Sequence, residues 1–248
     1  NPDYIFVCSE TAHHFNHIKM IDKNFKNKIV LVEKPLFHKY VKINFKNNKY
    51  FVGYNLRFHP VLKFIKEIIK KKKIFSINVN CSSYLPDWRP KRNYKKIYSS
   101  VKKRGGGVLL DLSHELDYVQ WLVGKITKIE SAKIVKISKL KINVEDSAVI
   151  TGKANSTHFN INMNFFSRSK ERSVVLDSDK FSIKGDLLNN KVQIFNDKKK
   201  TNFNFTNKKF STYLHQNKNL LQKNFKNFCT FTEGLKIIKL IKDIKHAG

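Results

Sequence analysis

Short unbroken apolar runs open the chain. YIFVCS (residues 4–9), KIVLVE (28–33) and KYFVGYNL (49–56) each read as a strand buried on both faces, as in a parallel sheet. Between the first two, residues 11–25 place Phe15, Ile18 and Ile21 or Met20 at helical spacing. Strand, helix, strand with short connectors is a βαβ pattern, which implies parallel strands and right-handed crossovers. Residues 60–73 predict an amphipathic helix that starts at Pro60 and ends in KKKK, a charge block that complements the helix dipole. IFSINVNCSSY (74–84) reads as a strand, and LPDWRPKRNYKKIYSS (85–100) as a long polar and aromatic loop. GGGVLLDLSHELDYVQWLVG (105–124) predicts one helix with glycine at both ends. From about 125 to 205 the pattern turns to β-type alternation, as in THFNINMNFFS (157–167), with turn signals at DSDK, KGD and NDKKK. Residues 214–228 and 233–246 predict two further helices, and no segment repeats.

Composition narrows the class. The chain has 248 residues, 41% of them hydrophobic, with 20 Phe, enough for one large domain or two modest ones with an ample core. No apolar run reaches the roughly 18 residues of a membrane span, and no secretory signal pattern opens the sequence. Cys8, Cys81 and Cys229 are odd in number and far apart, which fits reduced thiols in a cytoplasm rather than a disulfide framework or a zinc knuckle. The net charge is +30, but only six of the 49 basic residues are Arg. The lysines are scattered beside abundant Asn, Ile and Phe, as codon bias would produce. A dedicated nucleic-acid surface would call for arginine at bidentate positions.

The informative chemistry sits where strands end. In open α/β sheets, ligands lie beyond the carboxyl ends of the strands. Glu33, Lys34 and Pro35 follow the second strand, and Ser9, Glu10, Thr11 and His14 follow the first. Two adjacent polar strand ends make a cleft in which charge is tolerated. Asp111 and His114 lie three apart on a predicted helix and so share a face. An imidazole can take a hydroxyl proton, and a nearby carboxylate can orient it or raise its pKa. His114 can also be a satisfied core or capping histidine. In the loop, Trp88, Arg89, Tyr94 and Tyr98 offer a stacking face and an anion clamp, or an ordinary packing cluster.

The segments PDYIFVCSETAHH, VLVEKP, VGYNLRFHP and GGGVLLDLSHELD stand in the order seen in Gfo/Idh/MocA NAD(P)-dependent oxidoreductases. The chain resembles that family over most of its length. The resemblance implies an α/β protein: an incomplete Rossmann-type parallel-sheet domain at 1–57, then an α+β domain at 58–248. The second domain would carry a large mixed, mostly antiparallel sheet for substrate binding and dimerisation. It implies NAD or NADP as cofactor, with Ser9, Thr11, His14, Glu33, Lys34 and Pro35 on the cofactor side. Lys34 would meet the nicotinamide ribose and the substrate, often after a cis peptide at the proline. Lys34, Asp111 and His114 would be catalytic, and Trp88, Arg89, Tyr94 and His114 would bind a sugar-like substrate. Asn55 and Arg57 match the family's N-x-R region, Arg57 as a bridge between domains.

The sequence also departs from the family. It contains no GxGxxG turn and opens at what resembles the family's fourth strand. A preceding segment of about 60 residues, the size of a βαβ unit with additions, is therefore expected to hold the pyrophosphate. Glu10 stands where the family has Pro, and Asp111 and His114 are three apart rather than four, while His114 to Asp117 keeps the usual step. The expected function is hydride transfer between nicotinamide and a secondary alcohol of a sugar, sugar derivative or cyclitol. The expected setting is a cytoplasmic homo-oligomer, dimer or tetramer, with no specific nucleic acid and no membrane. Two rivals stand beside it. One is a non-catalytic dimerising remnant of the same fold; the other is a basic nucleic-acid-binding protein, against which the dispersed lysines and the EKP motif argue.

Overall fold

The computed structural model describes residues 2–206, 208 and 211–247. Strand β1 (Tyr4–Val7) leads through a 3-10 turn into α1 (His14–Asn24), and β2 (Ile29–Val32) and β3 (Lys49–Val52) follow. Next come α2 (Pro60–Ile68) and β4 (Ile74–Ser82), then a run of 3-10 turns, α3 (Val108–Asp111) and α4 (Ser113–Val123). A β-rich stretch comprises β5 (Ile126–Val135), β6 (Ser147–Ala154), β7 (Thr157–Asn164), β8 (Glu171–Ser178), β9 (Ser182–Asp186), β10 (Lys191–Asn196) and β11 (Lys199–Asn204). Helix α5 (Ser211–Leu221), the two-residue β12 (Cys229–Thr230) and α6 (Phe231–Ala247) complete the order.

Two sheets form. The smaller runs β1-β2-β3-β12, parallel except for β12. β2 and β3 are covered on both faces, but β1, at the sheet's edge, leaves Phe6 46% exposed, so the expectation of a strand buried on both faces does not hold there. Val30, Val32, Tyr50 and Val52 enter the main core with Ile18, Ile21 and Ile237, while Leu31 and Phe51 face a second cluster with Phe58, Leu220 and Phe228. Of the two candidates on α1, Ile21 is buried and Met20 exposed. The larger sheet runs β11-β10-β9-β8-β4-β7-β6-β5, with β4 and β7 parallel and every other pair antiparallel. One face packs on α2, α3 and α4. This is the mixed α/β architecture that the sequence pattern implied. Among the described residues no helix is long and apolar enough to cross a membrane. Cys8, Cys81 and Cys229 are all free thiols, the last two buried.

Four predicted elements differ in detail. Helix α2 stops at Ile68, and Lys71 takes a left-handed backbone (φ 59°), so the lysine run is a turn rather than a last helical turn. KGD lies inside β9: a Cβ on Gly185 would sit 2.8 Å from Ile65 Cδ1, so this glycine admits α2 onto the sheet rather than making a turn. The actual reversal follows at residues 187–190. The helix predicted for 214–228 ends at Leu221, where Lys223 (φ 54°) breaks it and frees Phe225 and Phe228 to pack on Phe51. The single helix over 105–124 is two, interrupted at Leu112 (ψ 26°).

Arg57 ties separate elements together. Its guanidinium donates to Asp117 on α4 at 2.7 and 3.0 Å, to Phe228 O at 3.2 Å and to Glu233 on α6 at 3.1 Å. The Arg57 and Asp117 side chains are 4% and 1% exposed. Removing the cation leaves a buried carboxylate with no counter-charge. Arg57→Ala is expected to lower unfolding free energy by about 3–5 kcal/mol, read by urea denaturation; a loss below about 1 kcal/mol would show the clamp to be dispensable.

Candidate active site

The carboxyl ends of β1 and β2 lie side by side, because the two strands pair in parallel with Val7 opposite Val32. Beyond them opens a cavity of about 340 Å³ whose walls include Ser9, Thr11, Glu33 and Lys34. A second cavity of about 380 Å³ lies on the side of the larger sheet, walled by Lys34, Trp88, Asp111, His114, Arg172 and Tyr213. Among the described residues, Lys34 alone lines both. A basic cavity of about 410 Å³ between α2 and β4 is larger. Size does not mark the site, however: two of the side-chain atoms that are buried without a hydrogen bond, Asp111 Oδ2 and His114 Nδ1, belong to the second cavity.

Lys34 is aimed by its surroundings. The Lys34–Pro35 peptide is cis. The Lys34 side chain is 14% exposed, and its ammonium donates to Asp111 Oδ1 at 3.2 Å and to the Asp111 main-chain oxygen. Tyr98 donates its hydroxyl to the same Oδ1 at 2.7 Å. Asp111 is therefore the partner of Lys34 and Tyr98, and among the described residues no hydrogen bond joins it to His114. The break at Leu112 explains the difference from the sequence reading: Asp111 closes one helix and His114 lies in the first turn of the next. His114 packs edge-on to Tyr54 with ring centroids 5.5 Å apart. Burial pushes its pKa well below the usual value, and the Lys34 and Arg172 cations push it further. Its partner environment lowers the pKa rather than raising it, and the ring is a neutral imidazole on the cavity wall. Glu33 moves the other way: burial raises its carboxyl pKa, and neighbouring Lys34 only partly offsets this.

The other residues singled out from sequence separate into groups. Ser9, Thr11 and Glu33 line the first cavity with Lys34. His14 does not face it: the buried ring has Nε2 3.0 Å from Ser9 O and Nδ1 3.1 Å from Pro35 O, so it ties the two strand ends together. Pro35 is buried beside it. Trp88 lines the second cavity, its indole N–H donating to Ser83 Oγ at 2.7 Å. Arg89 lies instead on the first cavity, over the Tyr98 ring at 5.6 Å. Tyr94 lines neither cavity; its hydroxyl accepts from Lys141 N at 3.3 Å. The glycines at 105–107 bring backbone close. Gly105 has φ 86° and its Cβ would lie 3.1 Å from Thr11 Cβ, while a Cβ on Gly106 would collide with the Tyr98 and Ser99 carbonyls. Arg104, just before them, donates from Nε to Oε2 of Glu10, a residue of the first cavity's wall, at 2.7 Å.

Arg172 and Tyr213 are wall residues that sequence reasoning missed. Tyr213 gave no signal. Arg172 did: in a chain whose default cation is lysine, an arginine marks a place where a planar fork is needed.

Residues 63–187 match the family model described as "GFO/IDH/MocA C-terminal domain". No curated protein matches the chain by sequence. Similar solved structures include the WlbA dehydrogenase of Bordetella pertussis in complex with NADH and UDP-GlcNAcA, at TM-score 0.74 and 18% identity, covering 100% of this chain and 77% of that one. Levoglucosan dehydrogenase in complex with NADH and levoglucosan aligns at TM-score 0.84 and 14% identity, over 99% and 77%. The aldose-aldose oxidoreductase of Caulobacter crescentus, complexed with glycerol, aligns at 0.79 and 14%, over 99% and 76%. At these identities the likeness is one of fold.

The buried histidines make stability depend on pH. Burial lowers the pKa of His114, of His14 and of His59, the last to about 4. The unfolded chain binds protons near the ordinary value of about 6.5, so the stabilisation is full above that value and is lost as pH falls below it. The unfolding free energy is expected to be lower at pH 5 than at pH 7. His114→Gln should shrink that difference by about 1–2 kcal/mol; urea unfolding at both pH values checks it, and an unchanged difference contradicts it.

Proposed function

This chain belongs to the GFO/IDH/MocA family, and we propose that it works as an NAD(P)-dependent oxidoreductase on a secondary alcohol of a sugar, sugar derivative or cyclitol. The observation that carries the reading is the position of Lys34, held by Asp111 at the junction of two cavities. The first cavity suits the ribose end of a nicotinamide dinucleotide: Ser9 and Thr11 offer hydroxyls, Lys34 a cation, and Gly105 lets backbone approach closely. When bound, that cofactor supplies the hydride acceptor or donor. The solved structures with NADH and sugar ligands support placing cofactor and sugar on this fold.

The roles of the chain's own residues follow from their environments. Lys34 receives the substrate hydroxyl and favours its alkoxide form, a charge that a partly desolvated ammonium stabilises strongly. Asp111, fixed by Tyr98, keeps the ammonium from swinging away. His114 lines the same cavity and can take the hydroxyl proton as a general base when the alkoxide forming beside it offsets the burial and the cations that hold its pKa down. Trp88 and Tyr213 give the sugar ring apolar faces.

A homo-oligomer built on the larger sheet belongs to the same proposal. Its outer face aligns Asn80, Asn162 and the exposed Val149 across β4, β7 and β6, a surface suited to packing with a second copy.

Lys34→Ala is expected to lower NAD(P)-dependent turnover by about 100-fold or more while leaving the circular dichroism spectrum unchanged. Near-normal turnover in a folded variant would remove Lys34 from the mechanism and with it the main support for the reading.

A further inference from the structure

Arg172 stands on β8, opposite Cys81 of β4 in the antiparallel register, and lines the second cavity beside His114. Glu115 of α4, 0% exposed, lies behind it. The pair is side-on: Nε donates to Oε1 at 2.8 Å and Nη2 to Oε2 at 3.1 Å. That geometry occupies one edge of the guanidinium. The end-on edge, formed by Nη1 and the second Nη2 hydrogen, has no partner among the described residues, and the Arg172 side chain is 22% exposed. Lys170, two residues earlier, also lines the cavity.

An ion pair buried in this way adds little stability that two well-packed apolar side chains would not also give. What it does provide is a planar double donor held at a fixed angle. Asp111 and Glu171 line the same cavity beside Lys34, Lys170 and Arg172, so it is the geometry of the fork rather than net charge that selects a ligand. A guanidinium with its end-on edge open matches a planar carboxylate through two parallel charge-assisted hydrogen bonds.

We propose that Arg172, positioned by Glu115, binds a carboxylate of the substrate, and that the sugar taken by this site is therefore an acidic one of the glycuronate class. The inference rests on the reading of this cavity as the sugar site. It names a binding residue and a substrate class, and makes no claim about the hydride step.

The test is calorimetric titration of the protein, with and without excess NADH. The probes are D-glucuronate and D-galacturonate, their neutral counterparts D-glucose and D-galactose, and D-glucose 6-phosphate. At least one uronate is expected to bind about tenfold or more tighter than its neutral counterpart, the ratio one charge-assisted contact supplies. The double variant Arg172→Met/Glu115→Met removes both charges and leaves no orphaned carboxylate; it is expected to bring that ratio to about one. If the double variant does not fold, Arg172→Lys replaces it, and the ratio is expected to fall because the fork is lost while the charge is kept. Equal binding of acidic and neutral sugars, no binding of any probe, tighter binding of the phosphate than of either uronate, or an unchanged ratio in a folded variant would each overturn the assignment. A separate incubation of each sugar with NAD+ or NADP+, read by absorbance of the reduced nicotinamide, distinguishes the two readings. Uronate preference in binding with no reduced nicotinamide from any sugar would leave the assignment standing and count against the oxidoreductase reading; reduced nicotinamide formed with neutral sugars alone would do the reverse.

Discussion

Asp111, Glu115 and Asp117 lie within seven residues of one another, are all buried, and meet three cations delivered from distant parts of the chain. Lys34 comes from the end of β2, Arg172 from β8, and Arg57 from the 3-10 turn after β3. A buried carboxylate without a counter-charge costs several kcal/mol. Helices α3 and α4 can therefore be seated only when both sheets and the turn between them are in place. This constraint couples the parallel sheet to the larger one, and it also sets the geometry of the candidate site, since one of the three pairs is the Lys34–Asp111 contact itself.

The same constraint divides structural from chemical roles. Arg57 has its donors taken up by Asp117, Phe228 O and Glu233, and acts as a clamp. Lys34 and Arg172 are each held on one side and open to a cavity on the other. His114, between them, carries no carboxylate partner and stays neutral because two cations and burial oppose its protonation. The break at Leu112 is what allows this: it turns Asp111 to Lys34 and leaves His114 to line the second cavity. The two residues, three apart in sequence, thus have different neighbours.

Much of the fold was legible. The run IVLV is a strand covered on both faces, as its pattern suggests, and the helix between β1 and β2 goes with their parallel pairing; β2 and β3 are also parallel although no helix joins them. Elements went astray where a residue serves tertiary packing rather than local geometry. Gly185 reads as a turn signal yet admits α2 to the sheet, and Phe225 and Phe228 read as a helical face yet pack on Phe51 after the chain has left the helix. At the site, the strand-end rule located Ser9, Thr11, Glu33 and Lys34 because topology alone determines where strands end. Arg89 and Tyr94 were placed by residue type within a loop, and loop type carries no information about which cavity a side chain reaches. The buried pairs were invisible for a related reason: Arg172 and Glu115 are 57 positions apart, and only the register of β8 against β4 brings the arginine over α4.

On the proposed reading Lys34 joins a cofactor cleft to a sugar cavity, and a hydride passes between them. Mass spectrometry of the product formed when the protein is incubated with a panel of keto-sugars and NADH carrying deuterium at both hydrogens of nicotinamide C4 reads that transfer. One deuterium is expected, bound to the carbon that bears the new hydroxyl. No deuterated product from any keto-sugar, or label found only in solvent, would contradict it.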